Sequence, residues 1–534
     1  MIEAEFGSYR QSGVRAAPAW LKDAVFYEVY PQSYYDSNSD GIGDIPGIIR
    51  KLDYIRDLGC NAIWLNPVYD SPFLDAGYDV RDHRKVAARY GTNEDLIELF
   101  HAAHIRNMRV ILDLVPGHTA IDHPWFLEAQ KAERNLFSGR YVFTQSVWDS
   151  PAGYRWVSGA TERDGNFLVN FFSTQPSLNY GFYDIDYPGW QDPINHPDCL
   201  ATLDSLKDIM RYWLDNGADG FRVDMADSLI KNDDEKTATC ALWRSIREIL
   251  DREYPEAVIV SEWSHPERAI NTAGFHMDFY LDHRYNGYHS LLRKRDDGVN
   301  RSYVSKDSHG DITGFTSDFI PKYEQVKGNG YISFITCNHD TPRLTRFLDQ
   351  SEIKLAYALI LTMPGVPFIY YGDEIGMRYI DRLASKEGGY DRTGSRTPMQ
   401  WNSGKNLGFS EASPSALYLP VDGNPGAPTV QSQQEDPCSL LNTMKALISL
   451  RRRYEDLSAD GDFEVIHAES GDPLFVYKRG SLFMFANPSL KEARIAWHRS
   501  VGADSTVYEI GRLKKERGQI VLSPQSFAII RACD

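Results

Sequence analysis

The sequence predicts a (β/α)8 barrel of the α/β class, with an inserted subdomain after the third strand and a C-terminal antiparallel β-sandwich. Three observations predict it. Eight apolar runs rich in Val, Ile, Phe and Tyr recur along the chain, with helical patterns between them. One gap, between the third and fourth runs, holds about a hundred residues, where a connection of about 2–6 is usual. From about residue 460 the pattern changes to short alternating strands.

The eight runs are 24–31, 60–67, 108–116, 220–227, 257–263, 275–281, 331–340 and 366–374. Each is almost continuously apolar, as parallel strands covered on both faces should be, and each stops at polar or charged residues. Amphipathic helices fit between them, for example at 93–107, 203–216 and 239–253. The long gap assigns 117–187 to an inserted subdomain, so the barrel is expected over 1–116 and 188–458. A Gly/Ser/Pro-rich stretch at 381–437 follows the eighth strand, then a helix at 439–453. The terminal β-domain is expected over 459–534, with strands at 474–478, 482–486 and 526–531.

Composition narrows the function. With 57 Lys and Arg against 74 Asp and Glu, the net charge of −17 argues against nucleic acid and anionic membrane, both of which demand a basic face. Aromatic residues make up 13% of the chain and suit both a core and stacking on sugars. The six cysteines, Cys60, Cys199, Cys240, Cys337, Cys438 and Cys533, contain no CxxC pair, so neither a zinc site nor a disulfide framework is suggested. They read as reduced thiols used as small buried residues. No apolar run reaches the ~18 residues of a membrane span, and the N-terminus lacks the apolar stretch of a secretory signal. A soluble, cytoplasmic protein is expected.

In such a barrel the active site lies at the C-terminal ends of the strands. Three ends carry carboxylates: Gly220-Phe221-Arg222-Val223-Asp224 on the fourth strand, Ser261-Glu262-Trp263 on the fifth and Asn338-His339-Asp340 on the seventh. A single carboxylate at a strand end is most often a helix cap or ion-pair partner. Three on separate strands, with Arg and His companions, are what retaining glycoside hydrolysis needs. Arg222, two residues before Asp224 on the same strand face, is expected to keep Asp224 ionised as the nucleophile. Glu262, between an apolar run and Trp263, is expected to be the acid/base with a raised pKa. Asp340 beside His339 fits a transition-state stabiliser.

The loop after the first strand spaces oxygen donors Asp36, Asn38, Asp40 and Asp44 with a backbone carbonyl at Ile42 between them, a calcium-type pattern. Gly47 at the twelfth position supplies no bidentate Glu, so it is not an EF-hand. A metal-free Asx-turn is the alternative. A structural calcium, or magnesium, is expected here, and no organic cofactor.

These segments resemble a known family. Asp113-Leu-Val-Pro-Gly-His118, Gly220-Phe-Arg-Val-Asp224, Ser261-Glu262-Trp263 and Asn338-His-Asp340 are similar to the four sequence regions of glycoside hydrolase family 13, the α-amylase family. Gln175-Pro-Ser-Leu-Asn179, Gly365-Val-Pro-Phe-Ile-Tyr-Tyr-Gly-Asp373 and Ser395-Arg-Thr-Pro-Met-Gln-Trp401 support it and resemble the oligo-1,6-glucosidase, α-glucosidase and trehalose synthase branch. The resemblance implies the same three catalytic roles and a metal in the 36–44 loop. It also implies a glucose pocket in which Tyr78 stacks on the sugar, Asp75 and Arg396 pair over its far hydroxyls, and His118, Arg222 and His339 bind hydroxyls near the reacting carbon. Gly117 stands where the family usually has Asn, and Met225 follows the nucleophile where 1,6-preferring members commonly show Val. Asp227-Ser228 replaces the Lys-His pair of many endo-acting amylases, which favours short substrates.

The expected function is a retaining exo-acting α-glucosidase working on short malto- or isomalto-oligosaccharides. The alternative is an α-glucosyltransferase or isomerase, such as a trehalose synthase, using the same covalent intermediate. A non-catalytic module like the transporter heavy chains that resemble this family would carry a membrane anchor and lack catalytic acids, and this sequence keeps all three.

Overall fold

The computed structural model describes residues 16–283, 286–296, 298–307, 311–497, 506–516 and 518–531. Eight parallel strands close the barrel: β1 Phe26–Val29, β2 Ala62–Leu65, β3 Arg109–Leu114, β4 Gly220–Val223, β5 Val258–Ser261, β6 Met277–Tyr280, β7 Tyr331–Ile335 and β8 Val366–Tyr370. Neighbours pair in sequence order, and β1 closes the ring by pairing with both β2 and β8. All eight expected runs hold a barrel strand, and each strand is shorter than its run. After Tyr370 the chain turns through Gly372, at φ 83°, into a 3-10 helix, Asp373–Ile375, which ends the eighth strand early.

Alternation along the strands explains both the barrel's core and its chemistry, since side chains two apart share a face. Phe26, Trp64, Ile111 and Val260 meet inside the barrel in one apolar cluster. Tyr27, Ile63, Leu65, Val110, Leu112 and Ile259 point outward into the layer beneath the helices. Two residues further along each inward file come Glu28, Asn66, Asp113 and Glu262, so the barrel passes from an apolar plug to a polar mouth.

Helices of the outer ring start where capping residues put them. Asn93–Ile105 begins with a Thr92/Asp95 capping box and Gln350–Thr362 with an Asp349/Glu352 box. Pro197–Asp215 starts six residues before the expected helix, because Pro197 fits the first turn and the His196 ring accepts the Asp198 amide.

Between β3 and that helix lies the insert. It contains a short helix, Pro124–Ala129, and a two-stranded ribbon, Trp156–Val157 with Phe167–Leu168. Val142, Leu168, Phe182 and Trp190 form its own apolar cluster. Phe126, Tyr141, Phe143 and Phe167 join the main core and anchor the insert to the barrel.

The C-terminal part holds a five-stranded and a three-stranded antiparallel sheet. Val476, Phe483 and Phe485 of the larger sheet, with Leu474 just before it, share one apolar cluster with Ile520, Leu522 and Trp497, which makes the sandwich. The opposite face of the same sheet, with Phe475, Tyr477, Met484, Phe527 and Ile529, belongs to the barrel's core. Of the cysteines, Cys60, Cys199, Cys240 and Cys337 are free and buried, Cys438 is free and exposed, and Cys533 lies outside the described residues.

Candidate active site

A cavity of about 400 Å³ opens at the C-terminal end of the barrel strands. Asp224, Glu262 and Asp340 all line it, as do Asp75, Tyr78 and His118. Arg222, His339 and Arg396 stand behind this wall, each almost fully buried.

Arg222 organises the floor. Its Nη1 donates to Asp113 Oδ1 at 2.8 Å and to Asp224 Oδ1 at 3.0 Å, while Nη2 reaches Glu262 Oε2 at 2.7 Å. One guanidinium therefore holds two of the three carboxylates side by side. Met225 adopts a left-handed backbone, φ 43°, and its amide donates to Glu262 at 3.2 Å. Such strain in a non-glycine residue is found where a site over-determines the backbone.

The electrostatics differ from the sequence expectation. Burial pushes the Asp224 carboxyl well above the usual aspartate range; Arg222 opposes this, but Glu262, Asp113 and Asp340 reinforce it. Arg222 does not hold Asp224 alone because it is divided among three acids. Nor is Glu262 left in a purely apolar setting, since it shares that same cation.

Asp340 is the opposite case. Burial works against its charge, but the neighbouring His339 ring, Arg392 and Arg396 hold its carboxyl well below the usual range. Arg392 Nη1 and Arg396 Nη2 donate to Asp340 Oδ1 at 2.8 and 2.9 Å.

The pairing expected over the sugar's far hydroxyls is corrected. Asp75 is bound by Arg392, whose Nη2 lies 3.1 Å from Asp75 Oδ1. Arg396 instead donates to the His339 carbonyl at 2.7 Å and to Asp340, and these bonds hold it away from Asp75. Arg392 thus bridges Asp75 and Asp340 and closes one side of the pocket. It escaped sequence reasoning because it sits in an aperiodic Gly-rich stretch; its position four residues before Arg396, in the 3-10 helix Tyr390–Ser395, was the available signal. Gln175 Nε2 also donates to Asp75, at 2.8 Å. Burial raises Asp75 to about 6, with Arg392 opposing.

Tyr78 stacks on His339, rings 5.0 Å apart and 12° from parallel, and its hydroxyl donates to Asp113 Oδ2 at 2.9 Å. Asp113, fully buried, also accepts from Trp64 Nε1 at 3.0 Å and ties the floor together. His118 lines the pocket, but both ring nitrogens are engaged: Nε2 with the Tyr78 carbonyl at 3.0 Å and Nδ1 with Asn170 Nδ2 at 3.1 Å. Burial lowers His118 to about 4, so the ring is neutral. Asn170 fills the place left by the glycine at 117, since a Cβ on Gly117 would stand 2.6 Å from Asn170 Nδ2.

In the loop at 36–44, Asp36 accepts from the amides of Asn38, Ser39 and Gly41 and from the Ser410 hydroxyl. Asp40 accepts from the Ile42 amide, and Asp44 accepts from the Ser37 and Gly47 amides and caps the helix Ile45–Arg50. The loop is thus a series of Asx-turns, and Asp36, Asp40 and Asp44 are not gathered within 4.8 Å of one another. Among the described residues, the three side chains that do meet that limit are Asp192, His196 and Cys199, half-buried, half-buried and buried.

A closed parallel barrel with three carboxylates and two arginines converging at its mouth defines a glycoside hydrolase. The chain belongs to the α-amylase family, whose catalytic-domain sequence model (Alpha amylase, catalytic domain) matches residues 28–460. The probable oligo-1,6-glucosidase 2 of Bacillus subtilis (strain 168) is 31% identical over 557 residues, covering 90% of this chain and 93% of that protein. The trehalose synthase/amylase TreS of Mycobacterium tuberculosis (strain ATCC 25618 / H37Rv) is 32% identical over 500 residues, covering 84% and 78%. Among solved structures, an isomaltulose synthase mutant from Erwinia rhapontici NX5 in complex with D-glucose superposes with a TM-score of 0.78 at 25% identity, covering 97% of this chain and all of that one. Among the described residues no helix is long and apolar enough to cross a membrane.

Proposed function

We propose that this chain is a retaining α-glucosidase that removes single glucosyl units from short α-glucosides. The observation that carries this reading is the shared guanidinium of Arg222. It keeps Asp224 and Glu262 adjacent, which favours the roughly 5–5.5 Å spacing of retaining enzymes over the roughly 6.5–9.5 Å that leaves room for an inverting water. Asp224 attacks the anomeric carbon while Glu262 gives its proton to the leaving oxygen. Water then adds to the glucosyl-enzyme with Glu262 as base. Asp340, kept ionised by Arg392 and Arg396, stabilises the positive charge that develops on the ring. The Asp75–Arg392 ion pair blocks extension of the pocket beyond one sugar, which supports exo action.

Glucosyl transfer is the second reading, favoured by the trehalose synthase relative. It uses the same intermediate and differs only in whether water or a sugar hydroxyl resolves it. Asp224→Asn tests both readings, because it removes the nucleophile with little change in shape. Turnover of maltose and isomaltose should fall by about 10⁴-fold or more, by analogy with loss of other covalent nucleophiles, while the circular dichroism spectrum stays unchanged. Retained turnover would remove Asp224 from the mechanism.

For the 36–44 loop we propose a structural divalent cation, calcium or magnesium. Its donors are all hard oxygens. Asp36 and Asp44 are buried, and burial, with Asp36 adding to it, pushes the Asp44 carboxyl up against the hydrogen bonds from Ser37 and Gly47. The exposed Asn38 and Asp40 would complete the shell by turning inward. The buried free thiols support a reducing, cytoplasmic setting.

A further inference from the structure

The roles above leave one fully buried carboxyl at the base of the site unused. Glu28 ends the inward file of β1, with Oε1 2.9 Å from His339 Nδ1 and Oε2 without a hydrogen-bond partner. Asn66 Nδ2 lies 3.2 Å from the same ring nitrogen. The direction of that amide follows from its other contact. Tyr78 donates its only proton to Asp113 Oδ2, so the Tyr78 oxygen must accept from Asn66, 3.3 Å away, and the amide nitrogen faces this side. An NH2 group aimed at Nδ1 requires a lone pair there, which leaves the ring proton on Nε2.

Two further observations agree. His339 Nε2 has no hydrogen-bond partner and lies 3.5 Å from Asp340 Oδ2, where a lone pair would repel the carboxylate and an N–H is attracted to it. Glu28 can approach an Nδ1 lone pair at 2.9 Å only as a donor, that is, as a carboxylic acid. Burial pushes its carboxyl well up, with Asp113 and Asp340 adding to the shift and Asn66 and Arg222 opposing it; burial likewise keeps His339 neutral.

We propose that Glu28 is a positioning residue which, with Asn66, fixes His339 as its Nε2–H tautomer and so aims a donor at Asp340 and at the sugar hydroxyl bound beside it. The inference rests on the glucosidase reading of this pocket. It names a job for a residue that touches neither substrate nor the reacting atoms.

Two-bond 1H–15N spectra of the full-length chain labelled at histidine, with the His339 signals assigned by their loss in His339→Asn, report the tautomer directly. The wild type should show Nε2–H. Glu28→Gln, whose amide can donate to Nδ1, should keep that pattern and stay within about threefold of wild-type kcat/KM. Glu28→Leu combined with Asn66→Leu removes both donors to Nδ1; the Nδ1–H form should appear, and kcat on an aryl α-glucoside should fall roughly 100-fold, the usual loss for one preorganised donor. Nδ1–H in the wild type would overturn the proposal even if the leucine variant does not fold. An unchanged tautomer and kcat in a folded leucine variant would overturn it as well. A wild type that cleaves no α-glucoside would sink the functional reading instead, and the spectrum would still decide the tautomer.

Discussion

Arg222 and Arg392 divide the electrostatic work of the site between them. Arg222 is shared by Asp113, Asp224 and Glu262, and Arg392 joins Asp75 to Asp340. Because burial and the neighbouring acids raise the Asp224 pKa, and the proposed role as nucleophile needs it ionised, activity should be lost as pH falls through that raised value. The acidic limb of the kcat/KM profile should therefore lie above ~3.9, the ordinary aspartate value; a limb at or below it would contradict the shared-cation picture. Arg392→Ala leaves Asp75 without its ion-pair partner and should lower kcat/KM for maltose by about 100-fold, the scale on which losing one partner of a buried hydrogen-bonded charge pair weakens binding, with KM rising. Gly117→Asn should also cost activity, because its side chain displaces Asn170 from His118; wild-type kinetics would show that Asn170 is dispensable. At this scale the sequence revealed Asp224, Glu262 and Asp340, since each ends an apolar run. Arg392 and Asn170 lie in aperiodic loops, and Glu28 is hidden inside a run that reads as core, so pattern alone could not single them out.

At the scale of elements, legibility followed periodicity. Parallel strands buried on both faces produce long apolar runs, which is why all eight barrel strands stood out, while the polar inward file above Phe26, Trp64, Ile111 and Val260 became evident only from the alternation within the closed ring. The insert was visible only as a gap, because its ribbon strands are two residues long and Phe126, Tyr141, Phe143 and Phe167, scattered without a period, pack into the main core. The loop at 36–44 joins β1 to the first helix, and its Asp44 is also that helix's cap. Chelation of a bound cation should lower the melting temperature, and added calcium should restore it, since anything that binds only the folded state stabilises it. No shift after exhaustive chelation would leave the Asx-turns as a complete account of the loop.

Over the whole molecule, the terminal sandwich is part of the catalytic body, because one face of its larger sheet completes the core outside the barrel. The short alternating strands were legible as a separate β-domain, but their double-sided burial was not, since contact with the barrel is a property of the assembled fold. The barrel positions three carboxylates from different strands, and the loops from the insert and the 381–437 stretch, through Asn170, Gln175 and Arg392, shape the pocket wall. That arrangement predicts a double displacement at the anomeric carbon. A proton NMR time course with maltose, followed before mutarotation and with Asp224→Asn as the blank, reads the outcome directly. The α-anomer of glucose should accumulate first from the non-reducing unit, and trehalose or isomaltose signals ahead of it would assign the intermediate to transfer. First release of the β-anomer would mean single-step inversion and would contradict Asp224 as a covalent nucleophile.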